Sequence, residues 1–138
     1  MGKVYKILEQ ADDLKIRVFG KTREEIFVNS AYALAEQLNK KAVLGGKVSR
    51  KFRMMKVQAV DLNSLLVDFL NELIYLSDVY QEVFPKVRIL ELTEDELEAK
   101  IYGVKVGKYD LEIKAVTYYK LEIKKVGRNY KADMVFDI

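Results

Sequence analysis

"DLNSLLVDFLNELIYLSD", residues 61–78, decides the fold class, because Leu62, Leu65, Leu66, Phe69, Leu70, Leu73, Ile74 and Leu76 repeat at the i, i+3, i+4, i+7 spacing of one helix face. Asp61 stands where it can cap the first turn. A helix with so broad an apolar stripe needs a surface to cover, and the flanking sequence supplies strands. In "EQADDLKIRVFGKT", residues 9–22, Leu14, Ile16 and Val18 alternate with Lys15 and Arg17 at the two-residue period of a half-buried strand. Val4–Leu8 reads as its partner strand, with residues 10–13 as the connection.

Thr22-Arg23-Glu24-Glu25 has the Ser/Thr-x-x-Glu form that opens a helix, and Phe27, Ala31, Leu34, Ala35 and Leu38 then mark a second amphipathic stripe ending near residues 39–41. After Gly45-Gly46 the run "KVSRKFRMMKVQAV" reads as a strand whose phase changes at Met54-Met55, which predicts a bulge. Residues 77–85 read as a loop, followed by strands over 87–93, 97–102, 109–118, 119–126 and 131–136. Two helices among about seven strands, without strand-helix-strand alternation, predict an α+β fold: a mainly antiparallel sheet with two amphipathic helices packed on it.

Composition narrows the chemistry. The 138 residues suit a single domain, 1–138, and half are hydrophobic, enough for a core. Lys and Arg number 24 against 21 Asp and Glu, so the net charge of +3 alone does not mark a nucleic-acid binder. The chain has neither Cys nor His. A His/Cys zinc site, a Ser-His-Asp triad and a Cys-His pair are therefore excluded. No apolar run of about 18 residues or leader-like segment is present, so the cytoplasm is the expected location.

If Leu14, Ile16 and Val18 point inward, Asp13 points outward; in "KADMVFDI", 131–138, Asp137 likewise falls opposite Ala132, Met134 and Phe136. A terminal carboxylate on Ile138 would sit one residue further on. Clustered carboxylate oxygens suit a hard cation such as Ca²⁺ or Mg²⁺, although a turn acid or a solvated strand end explains each residue by itself. Lys40, Lys41, Lys47, Arg50, Lys51, Arg53 and Lys56 form a basic stretch without an acid between Gln37 and Asp61. It suits RNA phosphates or an acidic partner, or equally a lysine-protected edge strand, and with Phe52 alone interleaved it lacks a stacking platform. Gly45-Gly46 lacks the preceding strand and the Lys-Ser/Thr ending of a phosphate loop, so no nucleotide pocket is expected.

Together these segments resemble the archease family, small proteins that assist the RtcB-type RNA-splicing ligase. "EQADDLKIRVFGKT" is similar to the family opening Glu-His-Thr-Ala-Asp-Ile-Gly-Ile-Arg, with the family aspartate on Asp13; residues 61–78 resemble its central helix; "KAVTYYKLEI", 114–123, resembles its Lys-Ala-Val/Ile-Thr-Tyr-His segment; and Asp137-Ile138 matches its ending. The resemblance implies an archease-like fold and a non-catalytic activator that promotes guanylylation and turnover of the ligase in tRNA splicing and RNA repair. It also implies a metal site, Ca²⁺ or another hard divalent cation, on Asp13, Asp137 and Ile138, and an activating role for Lys114. The implied partner is the ligase, with RNA contact indirect or weak and no membrane contact. The alternative is a general protein-binding module or chaperone, and a small RNA-binding protein using residues 40–56 is a third reading. Two departures matter most: the family histidines are Gln10 and Tyr119 here, which removes any imidazole role, and Ala11, Asp12 and Lys15 also replace the family's Thr, Ala and Gly.

Overall fold

The computed structural model describes residues 4–118 and 121–138; Tyr119 lies outside the described residues. The chain opens with a hairpin, β1 (Tyr5–Gln10) and β2 (Asp13–Gly20), as the alternation predicts. Helix α1 (Arg23–Leu38) follows, its Thr22 hydroxyl accepting the Glu25 N–H at 3.1 Å while the Glu25 carboxylate accepts the Lys21 N–H at 3.3 Å. A short helix, α2 (Lys40–Gly45), was not legible in the residue pattern. It exists because Asn39 serves two helices, closing α1 with its backbone N–H and capping α2 with its side-chain oxygen, 3.0 Å from the Ala42 nitrogen.

The remaining elements are β3 (Arg53–Gln58), α3 (Leu62–Tyr80), β4 (Glu82–Leu92), β5 (Glu96–Lys105), β6 (Ala115–Val116), β7 (Glu122–Val126) and β8 (Asn129–Asp137). They build two antiparallel sheets. One has the order β1-β2-β8-β6, with β7 also on β8, and the other has the order β3-β5-β4. The fold is α+β, as expected, with the strands divided between two sheets. Both long helices touch both sheets: α1 packs on β2 and β8 and on β4, and α3 packs on β6 and β7 and on β3 and β4. That position explains why each helix buries a wider arc than its apolar stripe. Ile26, Ser30 and Ala33 join the predicted face of α1, and Val67 and Ser77 join that of α3.

Several expectations are corrected. The bulge predicted at Met54-Met55 is absent: β3 pairs with β5 without a register shift, Met55 is buried, and Met54 on the other parity is exposed. The strand begins only at Arg53. The loop expected over 77–85 is the end of α3 and the start of β4, joined by Gln81 in the left-handed conformation (φ 54°) with its N–H on the Ser77 carbonyl. Pro85 is tolerated inside β4 because the β4–β5 register shifts between Val83 and Lys86, where a missing N–H costs no ladder bond. The strand expected over 109–118 shrinks to β6; of that expected over 119–126, residues 119 and 120 lie outside the described residues and β7 covers Glu122–Val126. β6 and β7 run in the same direction along one edge of β8. Among the described residues no helix is long and apolar enough to cross a membrane.

Candidate functional site at the end of the central strand

Strand β8 lies between β2 and the β6/β7 edge, and its register with β2 is continuous from Gly20↔Tyr130 to Asp13↔Asp137. The pairs Leu14↔Phe136, Ile16↔Met134 and Val18↔Ala132 fill the buried face. The other parity carries Arg17↔Asp133, Lys15↔Val135 and, at the end, Asp13↔Asp137. The two acids sit directly across from one another at the end of the β2–β8 ladder, both exposed. Side chains so placed are about 4.5–5.5 Å apart at Cβ, and like charges there repel.

The cations nearest in register are otherwise engaged. Arg17 makes a two-pronged bond to Asp133, Nε to Oδ1 at 2.7 Å and Nη2 to Oδ2 at 2.9 Å, and Lys15 pairs with Glu9 at 3.3 Å. Among the described residues neither Asp13 nor Asp137 makes an ion pair. Two opposed carboxylates without a counter-charge fit a hard divalent cation, provided that main-chain oxygens and water complete the shell, because among the described residues no three His, Cys, Asp or Glu side chains converge as ligands. Ile138 follows Asp137 and is half-buried, so its main-chain oxygens lie at the same end of β8.

Lys114 reaches this end through its backbone: its N–H donates to the Asp137 carbonyl at 2.8 Å, and Ala115 is the register partner of Asp137. Lys114 is exposed and borders a groove of about 540 Å³ together with Ile74, Tyr75 and Asp78 of α3 and with Tyr109. The structure thus brings Asp13, Asp137, Ile138 and the Lys114 backbone together at one end of β8. Gln10 ends β1 beside this corner, paired with Leu14, and is exposed.

Residue patterns missed what holds β6 there. Asn71 of α3 accepts the Val116 N–H at 2.8 Å and returns its amide to the Val116 carbonyl at 3.3 Å, and Asn63, two turns earlier on the same helix face, accepts the Ile123 N–H at 2.9 Å. Two asparagines eight residues apart beside an apolar stripe were the available signal. Asn71→Ala should leave the buried Val116 N–H without a partner and destabilise the fold by about 1–3 kcal/mol in urea titration. A cost under a few tenths of a kcal/mol would mean that β6 does not depend on this clamp.

The Arg17 hydrogen bond, reinforced by the charges of Arg17, Lys131 and Lys124, holds the Asp133 carboxyl below its ordinary value against the opposing effect of burial. A depressed folded-state value gives stability that is fully present above the unfolded value, about 3.9, and is lost as pH falls through the folded value beneath it. Acid titration of stability should therefore fall more steeply below about pH 4 in the wild type than in Asp133→Asn. Parallel acid limbs would show that this pair contributes nothing to the linkage.

Elsewhere, a groove of about 840 Å³ between β1 and α1 is lined by Val4, Ile7, Val28, Tyr5, Tyr32 and Glu36 among others. Burial, and then the hydrogen bond to Glu36, push the Tyr5 hydroxyl well above its ordinary value; Tyr32 is shifted the same way. Both hydroxyls donate to the Glu36 carboxylate. The basic stretch is divided: Lys40 and Lys41 lie on α2, Lys56 lies on the open face of β3, and Lys47, Lys51 and Arg53 line a cleft around Glu82.

The archease protein family (MTH1598/TM1083) matches residues 5–138, both strand ends of this corner included. The chain belongs to the archease family. Protein archease of Methanosarcina barkeri is 40% identical over 99% of this chain and 97% of its own length, and that of Pyrococcus abyssi is 36% identical over 99% of each. Among solved structures, Methanobacterium thermoautotrophicum protein 1598 superposes with a TM-score of 0.79 at 26% identity, covering 99% of this chain and all of that one. A Thermotoga maritima protein described as "an archease, possible chaperone" superposes with a TM-score of 0.66 at 23% identity over 96% of each chain, a likeness of fold. The archease fold and the two-sheet arrangement here are the same architecture.

Proposed function

We propose that this archease is a non-catalytic activator of an RtcB-type RNA ligase, acting through a cation held by Asp13, Asp137 and main-chain oxygen of Ile138. The observation that carries this reading is the direct opposition of Asp13 and Asp137 at the end of β8, without a neutralising side chain among the described residues. Bound there, a hard divalent ion supplies positive charge and coordination positions that a partner's oxygens can complete. The chain's own part is positional. The β2–β8 ladder fixes the two carboxylates, Asn71 fixes β6, and the Lys114 backbone closes the corner through its N–H on the Asp137 carbonyl. Family membership supports the ligase as partner and tRNA splicing or RNA repair as the setting.

The test is multiple-turnover joining of RNA ends bearing a 2′,3′-cyclic phosphate and a 5′-hydroxyl by such a ligase. Adding this protein should raise product beyond one equivalent of ligase, and an unchanged time course would overturn the proposal. The apolar groove between β1 and α1 favours a second reading, general protein binding. On that reading, aggregation of unrelated proteins is suppressed without metal, and equally well by Asp137→Asn.

A further inference from the structure

The β3-β5-β4 sheet has one buried face, carrying Met55, Val87, Leu97, Ala99 and Ile101, and one open to solvent. On the open face, register places Lys86 beside Tyr102, and Arg88 and Met54 on either side of Lys100. Phe52, just before β3 and 45% exposed, brings its ring within 6.0 Å of the Tyr102 ring at a tilt of 58°. Lys100 Nζ stands 4.4 Å from the Phe52 centroid and Lys86 Nζ 4.7 Å from that of Tyr102. Phe52 also borders the cleft of about 610 Å³ whose wall includes Lys47, Lys51 and Lys105. The sequence offered Phe52 as an isolated ring in a basic stretch. The fold supplies the second ring, from fifty residues away, and joins two sets of cations around the pair.

Among the described residues, Lys47, Lys51, Lys86, Arg88 and Lys100 pair with no carboxylate. Glu82, the acid in the cleft, is matched by Arg53 at 2.9 Å. Glu91, Glu96 and Glu98 lie toward the other end of the sheet, which leaves the charge of the ring-bearing end positive. A ring pair, Phe52 exposed and Tyr102 half-buried, interleaved with cations that pair with no carboxylate among the described residues, matches the two chemical faces of a single-stranded polynucleotide, with bases that stack and phosphates that need counter-charge. A duplex would present phosphates alone and leave the rings unused. An acidic protein patch would meet the charges without accounting for the ring pair.

We infer that the open face of the β3-β5-β4 sheet, with the adjoining cleft, binds single-stranded RNA through stacking on Phe52 and Tyr102 and phosphate contacts from Lys86, Arg88 and Lys100. The choice of RNA over DNA rests on the function proposed above; the stacking and charge arguments do not. Lys86 and Lys100 are placed to move from the rings to phosphates as bases take their places.

The test is fluorescence anisotropy of a labelled twelve-residue oligouridine RNA titrated with the full chain, with no ligase present, so that failure here leaves the ligase activation untouched. Saturable binding is expected, weakening roughly tenfold or more between 50 and 200 mM salt if about three phosphates are contacted. Phe52→Leu, which keeps apolar bulk and removes the ring, should weaken binding roughly tenfold. Lys86→Glu with Arg88→Glu should weaken it further and flatten the salt dependence, and Asp13→Asn should change neither. All these side chains are at the surface, and unchanged melting temperatures check the fold. Absence of saturable binding, duplex RNA binding as tightly, or insensitivity to Phe52→Leu and Tyr102→Leu together would overturn the inference. Equal affinity for the matching DNA would overturn the assignment to RNA. Loss of ligase activation in the charge variants without any RNA affinity would give the face to an acidic protein instead.

Discussion

Asp137→Asn should reduce the protein's stimulation of multiple-turnover RNA joining by at least tenfold while leaving the apo fold as stable as wild type. The substitution keeps the shape and removes the charge. Losing an outer partner of a metal ligand costs about 10- to 100-fold in affinity or activity, and losing a direct ligand should cost no less. In the absence of metal the same change relieves the repulsion between opposed acids, since Asp13 and Asp137 are register partners. Activity and stability should thus part company, and raised divalent-ion concentration should partly restore stimulation. Asp13→Asn should behave alike. If either variant stimulates the ligase as well as wild type, the carboxylate pair is not the working part. If both melt well below wild type without metal, their role is structural.

Phe27→Ala carries the largest expected stability cost, about 3–5 kcal/mol by urea titration. Phe27 is fully buried on α1, and its ring lies 5.7 Å from that of Phe69 on α3, one of the contacts between the two helices. Truncation removes the burial of a large side chain, leaves a cavity and ends the ring pair. Against a typical total of about 5–15 kcal/mol such a loss is a large share of the fold's margin. A cost near 1 kcal/mol would mean that the helical layer relaxes around the gap and that α1 is not wedged between two sheets as described.

The local elements were legible because their cues are local. Alternation at Leu14, Ile16 and Val18 marked β2, the Thr22 and Asp61 caps marked the helix starts, and parity put Asp13 and Asp137 on the outward face. The opposition of those two acids was not legible from alternation, because it depends on the register between residues 124 positions apart, and a slip of one would have turned one of them inward. The division into two sheets was hidden for a related reason. A helix covered on two sides buries small and polar residues such as Ala33 and Ser30 that fall outside an apolar stripe. The Phe52–Tyr102 pair follows from long-range pairing in the same way. Family resemblance supplied the meeting of Asp13 with Asp137 but neither the second sheet nor the ring pair.

The most direct measurement is the melting temperature of the protein as Ca²⁺ is raised from zero to millimolar concentration. A ligand that binds only the folded state stabilises it by about 2.7 kcal/mol at a hundred times its dissociation constant. The account predicts a rise with calcium concentration in wild type that is lost in both Asp13→Asn and Asp137→Asn. A flat wild-type curve, or an equal rise in the variants, would contradict it.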